Sequence, residues 1–306
     1  MMKKLSLMAA VGWLLLAQPA FADDGPKYDP RGTKGCMKCH DVDAEKPIMA
    51  IQHTVHAVIA DADSPFAKNN RGCESCHGPS AGHGANLQDD EVRPAPAINF
   101  NTSLGLSPVK DREEACLNCH QKQGHVAQWQ GSAHEQADVS CTSCHELHTQ
   151  NDPMLDKKLQ AEKCYSCHTN ERIDSNRASH HPMKEGLVTC TDCHQVHGSN
   201  GPSLLTGFTV NETCYSCHAE KRGPFLWEHE PVTENCLNCH LAHGSNNMRL
   251  LKVRSPYLCQ SCHMQKGGHD SALNLPGDSK FDQKGCVNCH SSVHGSNHPS
   301  GIKRHR

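Results

Sequence analysis

The chain has 306 residues, 20 Cys, 25 His and a formal net charge of −3. It lacks the several long apolar runs of a polytopic membrane protein. Its Lys+Arg (30) do not exceed its Asp+Glu (33), which excludes a basic nucleic-acid binder. Only 6 Phe, 3 Trp and 4 Tyr are available to fill a core, so the filling is expected to come from something other than side chains.

In chain order, Lys3 and Lys4 open a positive start, an apolar stretch runs from Leu5 to Ala17, and Ala20-Phe21-Ala22 forms an A-x-A site. This pattern predicts a secretory signal peptide over 1–22, cleaved before Asp23. The expected product, 23–306, is exported, and the signal type points to a bacterial periplasm.

All twenty cysteines then fall into one motif, C-x-x-C-H. The first five copies are Cys36, Cys39 and His40; Cys73, Cys76 and His77; Cys116, Cys119 and His120; Cys141, Cys144 and His145; and Cys164, Cys167 and His168. The last five are Cys190, Cys193 and His194; Cys214, Cys217 and His218; Cys236, Cys239 and His240; Cys259, Cys262 and His263; and Cys286, Cys289 and His290. Chance placement at these frequencies gives about 0.1 copies of this haem-attachment motif. Ten disulfides would not require a His after each second Cys, nor would zinc sites. Two thiols about one helical turn apart can each bond a vinyl group on one edge of a porphyrin, and the next residue brings an imidazole under the iron. The motif therefore predicts ten covalently bound haem c groups, with the ten motif histidines as proximal ligands.

Fifteen further His remain, more than scattered surface residues account for. Even-numbered motifs are followed by His83, His148, His197, His243 and His294, and preceded by His56, His134, His181, His229 and His269. These ten are the expected distal ligands, which leaves His53, His125, His180, His298 and His305 over. Periodicity does not assign a given His to a given haem, and adjacent units could exchange ligands. The mature-chain Met residues show no repeat placement, so His/His ligation is favoured over His/Met.

The pattern reads as five di-haem units at 36–83, 116–148, 164–197, 214–243 and 259–294. Their starts lie 80, 48, 50 and 45 residues apart. The first unit carries an insertion, roughly Gln88 to Val109. Such regularity marks an array of repeats packed on their neighbours. Spacers rich in Gly, Pro, Asn, Asp and Ser signal loops. Helices are expected at Pro47–Asp61, Lys110–His120 and Leu155–His168, with short turns over the motifs and little or no β-structure. The expected fold is an elongated, mostly irregular multihaem cytochrome c with short α-helices and the haem chain as its core. A catalytic haem needs an open sixth position. None is predicted here, because no motif His is replaced by Lys and spare His suffice. An electron-transfer protein is favoured over a multihaem reductase. The basic tail Lys303-Arg304-His305-Arg306 is expected to be solvated.

The segments "CYSCHAEKRGPFLWEHEPVTENCLNCHLAHGS", "CQSCH" and "CVNCHSSVHGSNHPSG" resemble the periplasmic decahaem cytochromes c of the MtrA/DmsE family, as do "CESCHGP", "SCHELH" with "DPML", and "HPMK". The resemblance implies a bis-His haem chain seated partly inside an outer-membrane β-barrel porin, carrying electrons across that membrane. It implies a quinol-oxidising cytochrome of the cytoplasmic membrane as donor, directly or through soluble carriers. The implied acceptor is an extracellular multihaem cytochrome or a surface reductase; related systems run inward from ferrous iron. The family's spare-His pattern fits the ten distal candidates, with His298 a reserve; His53, His125 and His180 look like departures. A free periplasmic shuttle or electron store fits the composition equally well.

Overall fold

The computed structural model describes residues 25–41, 48–68, 71–263 and 285–301. The expected signal 1–22, the candidate ligand His269, His305 and the basic tail lie outside the described residues. The described chain is built of short helices joined by turns. In order these are α1 (Thr33–Cys36), α2 (Glu74–His77), α3 (Val109–His120), α4 (Ala133–Gln136), α5 (Cys141–Cys144), α6 (Gln160–Tyr165), α7 (Thr169–Ser175), α8 (Cys190–Cys193), α9 (Val210–Tyr215), α10 (Glu230–Glu234) and α11 (Tyr257–His263). Most begin at or run into a C-x-x-C-H motif, and two motifs start on 3₁₀ turns instead, Cys236–Asn238 and Cys286–Asn288. Among the described residues there is no β-strand. Only isolated bridges occur, such as Ser179 to Ser245 and Trp227 to Ser296.

The helix expected over Lys110–His120 coincides with α3. Two others are corrected. Pro47 lies outside the described residues, and the rest of the expected Pro47–Asp61 helix forms two 3₁₀ segments, Ile48–His53 and Val55–Ala57. The His56 carbonyl is taken by Phe66 N and Ser64 Oγ instead of continuing a helix, and the β-branched Ile48, Ile51, Thr54 and Val55 favour helix weakly. The Leu155–His168 helix shrinks to α6, because the Asp156 carboxylate accepts from Lys158 N at 2.8 Å and holds a turn where the helix would start.

Side chains build almost no core. The buried hydrophobic residues among those described are Trp129, Met154, Ala161 and Tyr165, and the most deeply buried side chains are Ser140, Ser175 and Ser245. The chain exposes 22731 Å², whereas a compact protein of 33.5 kDa exposes roughly 12,700 Å². Order comes from hydrogen bonds and from contacts between motifs.

Those contacts put consecutive motifs in single file. The first cysteines of paired motifs lie side by side: Cys36 with Cys73, Cys116 with Cys141, Cys164 with Cys190, Cys214 with Cys236, and Cys259 with Cys286. Second cysteines link one pair to the next: Cys76 with Cys119, Cys144 with Cys167, Cys193 with Cys217, and Cys239 with Cys262. Each interior motif thus meets its predecessor through one cysteine and its successor through the other. The second cysteines of the first and last motifs, Cys39 and Cys289, fall at the two ends of this file.

Buried polar side chains fasten the pairs. Arg112 in α3 donates to Ser140 Oγ at 2.8 Å, beside the fourth motif. The Gln160 side chain in α6 accepts from Thr191 N at 3.2 Å, in the sixth. Asn211 in α9 accepts from Cys236 N at 2.7 Å, in the eighth. In the first pair, Glu74 of α2 accepts from Asp29 N at 2.9 Å. A buried amide or carboxylate so satisfied costs little and fixes one register.

Candidate haem-attachment sites

Nine pairs of imidazole rings face each other across a nearly constant gap. The pairs are His40–His83 at 6.2 Å, His56–His120 at 6.1 Å, His77–His148 at 6.2 Å, His134–His168 at 6.2 Å and His145–His197 at 6.0 Å. The remaining four are His181–His218 at 6.4 Å, and His194–His243, His229–His263 and His240–His294, each at 6.2 Å. Each pair joins one motif histidine to one of the ten predicted distal histidines. The gap suits a metal ion: roughly 2 Å for each metal–nitrogen bond plus roughly 1 Å from each nitrogen to its ring centre gives about 6 Å. Among the described residues no three His, Cys, Asp or Glu converge on a metal site of their own. Two axial nitrogens per site are what a porphyrin iron requires.

Eight of the nine pairs cross the sequence units. Each of the second, fourth, sixth and eighth motifs meets the histidine that follows the motif two further on. Each of the third, fifth, seventh and ninth meets the histidine that precedes the motif before it. The first, with no such predecessor, meets His83. No pair is formed within a bare C-x-x-C-H segment.

The twenty predicted attachment cysteines are not placed alike. Ten sit beside the first cysteine of the paired motif, and eight lie within electrostatic reach of a second cysteine of the adjoining pair. Cys39 and Cys289 depart from that arrangement. Both are exposed, as are Cys119, Cys167, Cys193, Cys217 and Cys262, but the link between second cysteines does not extend to either among the described residues. The reason is position, since Cys39 belongs to the first motif and Cys289 to the last, and each lacks a further motif on its outer side. Each is held in the turn of its own motif: Cys39 N donates to Cys36 O and Cys289 N to Cys286 O, both at 3.2 Å. The same turn, with the same bond at 3.2 Å, joins Cys76 to Cys73 and Cys167 to Cys164, so the end motifs keep the local shape of the interior ones.

Hydrogen bonds fix which ring nitrogen is available. Nδ1 of His83 donates to Pro94 O at 2.7 Å, Nδ1 of His134 to Val196 O at 3.0 Å, Nδ1 of His181 to Ala242 O at 3.0 Å and Nδ1 of His229 to Val293 O at 3.0 Å. His77 donates to Ile98 O at 3.1 Å, His194 to Ser203 O at 2.9 Å and His240 to Arg249 O at 2.8 Å. A carbonyl only accepts, so each Nδ1 carries the hydrogen and each Nε2 keeps its lone pair for a metal. Burial also pushes the His56, His77, His148, His197, His243 and His294 pKa values down, which keeps these rings neutral as a ligand must be.

The insertion 88–109 serves the first pair of motifs. It supplies both Pro94 O to His83 and Ile98 O to His77, and it lays Phe100 edge-on against His77 at 5.3 Å. Buried Asn99 holds the insertion's turn by donating to Asn101 O at 2.7 Å and Gly105 O at 2.8 Å.

Around His56 and His120 lies a cavity of about 500 Å³, lined also by Asp61, Lys68, Cys119 and Lys122. That volume is within the range of cofactor pockets. The paired rings, the directed lone pairs and the adjoining cysteines all fit covalent haem.

Residues left over by the repeat sit otherwise. His125 lies 5.9 Å from the His197 ring, and its backbone accepts a hydrogen bond from that ring. It therefore supports a ring already opposite His145. Nδ1 of His180 donates to Arg177 O at 2.6 Å. His298 differs from the paired rings: its Nδ1 accepts from Ser300 N at 3.1 Å. That places its hydrogen on Nε2 and argues against the reserve-ligand role. His53 is exposed at the end of the 3₁₀ segment Ile48–His53.

Sequence reasoning missed the glycine after three of the predicted distal histidines. A side chain on Gly198 would sit 2.1 Å from Gln128 O, and one on Gly244 would sit 1.9 Å from Asp174 O. H-G-S recurs after His197, His243 and His294, and that triple recurrence was the available signal.

The comparisons agree with this geometry. A doubled CXXCH motif family matches residues 180–223 and 229–268, and an NrfB-like c-type cytochrome family matches 73–159. The multiheme cytochrome MtrA of Shewanella baltica is 46% identical over 282 residues, which cover 90% of this chain and 81% of the relative. The chain belongs to the MtrA family of multihaem c-type cytochromes. A c-type cytochrome NrfB of Escherichia coli O6:H1 is 30% identical over 170 residues, covering 53% of this chain and 81% of the relative. As a member of the MtrA family the chain binds haem c covalently through its paired motifs. No helix among the described residues is long and apolar enough to cross a membrane.

Proposed function

We propose that the protein is a periplasmic decahaem cytochrome that conducts electrons from one end of its motif file to the other. The reading is carried by one observation: nine histidine pairs, each spaced for one metal ion, on motifs that touch in sequence. Bound haem supplies a one-electron iron couple at each site. The chain holds the twenty motif cysteines for thioether attachment, Cys39 and Cys289 at the ends included. It presents ten proximal histidines and closes the far faces with His56, His83, His134, His148, His181, His197, His229, His243 and His294. His269 is the distal candidate that remains for His290. With both axial positions closed by imidazole, such sites exchange electrons and leave no position for substrate, so the protein is read as a carrier and not an enzyme. Bis-imidazole ligation favours low potentials.

Family membership supports the partners proposed: an outer-membrane β-barrel porin as sheath, a quinol-oxidising cytochrome on the periplasmic side, and an extracellular multihaem cytochrome or reductase beyond the membrane. A porin sheath removes any need for a lipid-facing apolar belt on this chain, which its mean hydropathy of −0.65 fits. The test has two parts. Mass spectrometry and iron analysis of the exported protein are expected to give ten haems per chain; markedly fewer overturns the reading. Purification from membranes is expected to bring a β-barrel with it, and liposomes bearing both proteins are expected to reduce an enclosed dye from outside. Dye reduction equal to that of liposomes with the porin alone overturns the conduit.

A further inference from the structure

The loop after each even-numbered motif from the fourth to the eighth returns an acceptor to that motif's own histidine, and the acceptor is not the same in every copy. After the sixth motif the loop reads N-G-P-S-L (200–204), and the Ser203 carbonyl accepts from His194 Nδ1 at 2.9 Å. After the eighth it reads N-N-M-R-L (246–250), and the Arg249 carbonyl accepts from His240 Nδ1 at 2.8 Å. Both carbonyls are aimed by a left-handed residue, Ser203 at φ 52° and Arg249 at φ 61°.

After the fourth motif the loop reads N-D-P-M-L (151–155), so Asp152 stands where Gly201 and Asn247 stand in the other copies. Here Pro153–Leu155 is an ordinary 3₁₀ turn, and the acceptor is the Asp152 carboxylate, with Oδ2 2.6 Å from His145 Nδ1. The other oxygen is tied down: Oδ1 accepts from Met154 N at 3.0 Å and Glu146 N at 3.4 Å. The Asp152 side chain is 14% exposed, and Met154 beneath it is buried. Across the gap His197 faces His145, with Trp129 against it at 6.1 Å. Among the described residues no other paired ring has a carboxylate within 3 Å. His168 and Glu171, and His218 and Glu220, stand 3.9 Å apart on exposed side chains.

We propose that Asp152 is a positioning residue that sets the His145–His197 site at a lower reduction potential than its counterparts in the repeat. The inference rests on the ligation proposed above. A carboxylate acceptor draws the Nδ1 proton toward itself and makes the imidazole a stronger donor to its metal. A fixed negative charge in a poorly solvated place also favours the more positive oxidation state. A neutral carbonyl, as at Ser203 and Arg249, does both less. Where the repeat elsewhere bends its backbone to offer a dipole, this copy offers a charge.

The test uses the exported, haem-loaded protein and two neutral variants, Asp152→Asn, which reproduces Asn247, and Asp152→Ser, which keeps an oxygen to cap the turn. Haem content is measured on every sample, and reduction is followed by spectroelectrochemical titration. The expected result is one component shifted upward in both variants, the others superimposed on the wild type, and the shift largely reversed in Asp152→Glu. Curves that superimpose on the wild type overturn the inference, and so does a uniform shift of all components. Electron paramagnetic resonance during the same titrations identifies the component that the variants shift. That component is expected to carry the signature of near-parallel axial rings, as His145 and His197 lie at 16°. The signature of steeply crossed rings on that component overturns the inference. A wild type short of haem would fail the ligation reading instead, so the two failures are distinguishable.

Discussion

His134 Nδ1 donates to the carbonyl of Val196, 62 residues along the chain, at 3.0 Å. The bond joins two neighbouring sites, because His134 faces His168 while Val196 precedes His197, which faces His145. The same bond recurs between His181 and Ala242 and between His229 and Val293. One ring opposite a motif histidine is thus oriented by the backbone that carries the corresponding ring of the adjacent pair. The clasp is tightened by Ser179 and Ser245, whose backbones exchange bonds of 2.9 and 2.8 Å. Rigid spacing between sites follows from a hydrogen-bond lattice instead of a side-chain core.

The glycine of the clasp is the place to break it. Gly244→Val puts atoms where Asp174 O already stands, 1.9 Å from the added Cβ. Backbone cannot yield as a flexible side chain would, so the cost is expected at about 1–3 kcal/mol. The thermal unfolding midpoint is expected to fall, and the low-spin resonances of the His181–His218 and His194–His243 sites are expected to change while the rest persist. An unchanged spectrum and midpoint would show that the clasp does not hold these rings.

The ring planes themselves predict a spectrum. Parallel imidazoles overlap the same iron d orbital and separate it from its partner, whereas crossed imidazoles leave the two nearly equal in energy. His240–His294, His145–His197 and His40–His83 lie at 15°, 16° and 19°, while His134–His168 lies at 85° and His56–His120 at 62°. The oxidised protein is therefore expected to show two families of low-spin ferric signal, with His134–His168 at the crossed extreme. His134→Ala should remove a crossed signal and add one high-spin iron.

Part of this was legible in the sequence. Ten identical motifs point to one chemistry, and the alternation of following and preceding histidines picked out every ring found opposite a motif histidine among the described residues. The partner of each ring was not legible, because all pairs but His40–His83 cross unit boundaries and spacing alone does not record which loop folds over which neighbour. Nor does an identical motif record its surroundings: Cys39 and Cys289 read like the other second cysteines, and only the fold places them at the ends of the file, outside the links of Cys76 with Cys119, Cys144 with Cys167, Cys193 with Cys217 and Cys239 with Cys262. The role of the insertion was not legible either. Only the fold shows that Pro94 and Ile98 give it the acceptor carbonyls that later units draw from other loops. Helix expectations failed where a side chain such as Ser64 or Asp156 captured a backbone group that the helix needed.

Covalent attachment can be counted site by site. The double variant Cys73→Ala/Cys76→Ala leaves His77 and His148 facing each other at 6.2 Å but removes both points of attachment. Mass spectrometry of the denatured variant is expected to show one haem fewer than the wild type. Loss of two would show that Cys36, beside Cys73, depends on its neighbour for loading.

Glu113 gives a pH dependence. Its carboxyl is buried and accepts from Trp129 Nε1 at 3.1 Å. Burial pushes its pKa above the ordinary glutamate value, helped by Glu135 and Asp138 and opposed by the Trp129 bond and Arg112. The folded state therefore holds the proton more tightly than the unfolded chain. This contribution to stability is complete below the unfolded pKa and is lost as pH rises through the folded one. Glu113→Gln keeps an oxygen for Trp129 and has nothing to ionise. Its unfolding midpoint is expected to fall less than that of the wild type between acid and neutral pH; parallel profiles would contradict the assignment.

The last prediction concerns the chain without its cofactor. Four buried hydrophobic residues among those described cannot offset the conformational entropy of a chain of 306 residues, since ordering costs on the order of 1 kcal/mol or more per residue. Hydrogen bonds such as Gln160 to Thr191 exchange solvent partners for internal ones and add only about 1 kcal/mol each. Apolar surface must therefore come from elsewhere, and Leu155, Ile173, Leu187, Phe208 and Leu226 are each more than half exposed. Porphyrin faces would cover such side chains, at about 25 cal/mol for each Å² of apolar surface removed from water. Chain produced where haem is not attached is expected to lack a cooperative unfolding transition and to be cut rapidly by protease throughout, whereas loaded protein resists. A sharp calorimetric transition in the haem-free chain would mean that the polar lattice suffices alone.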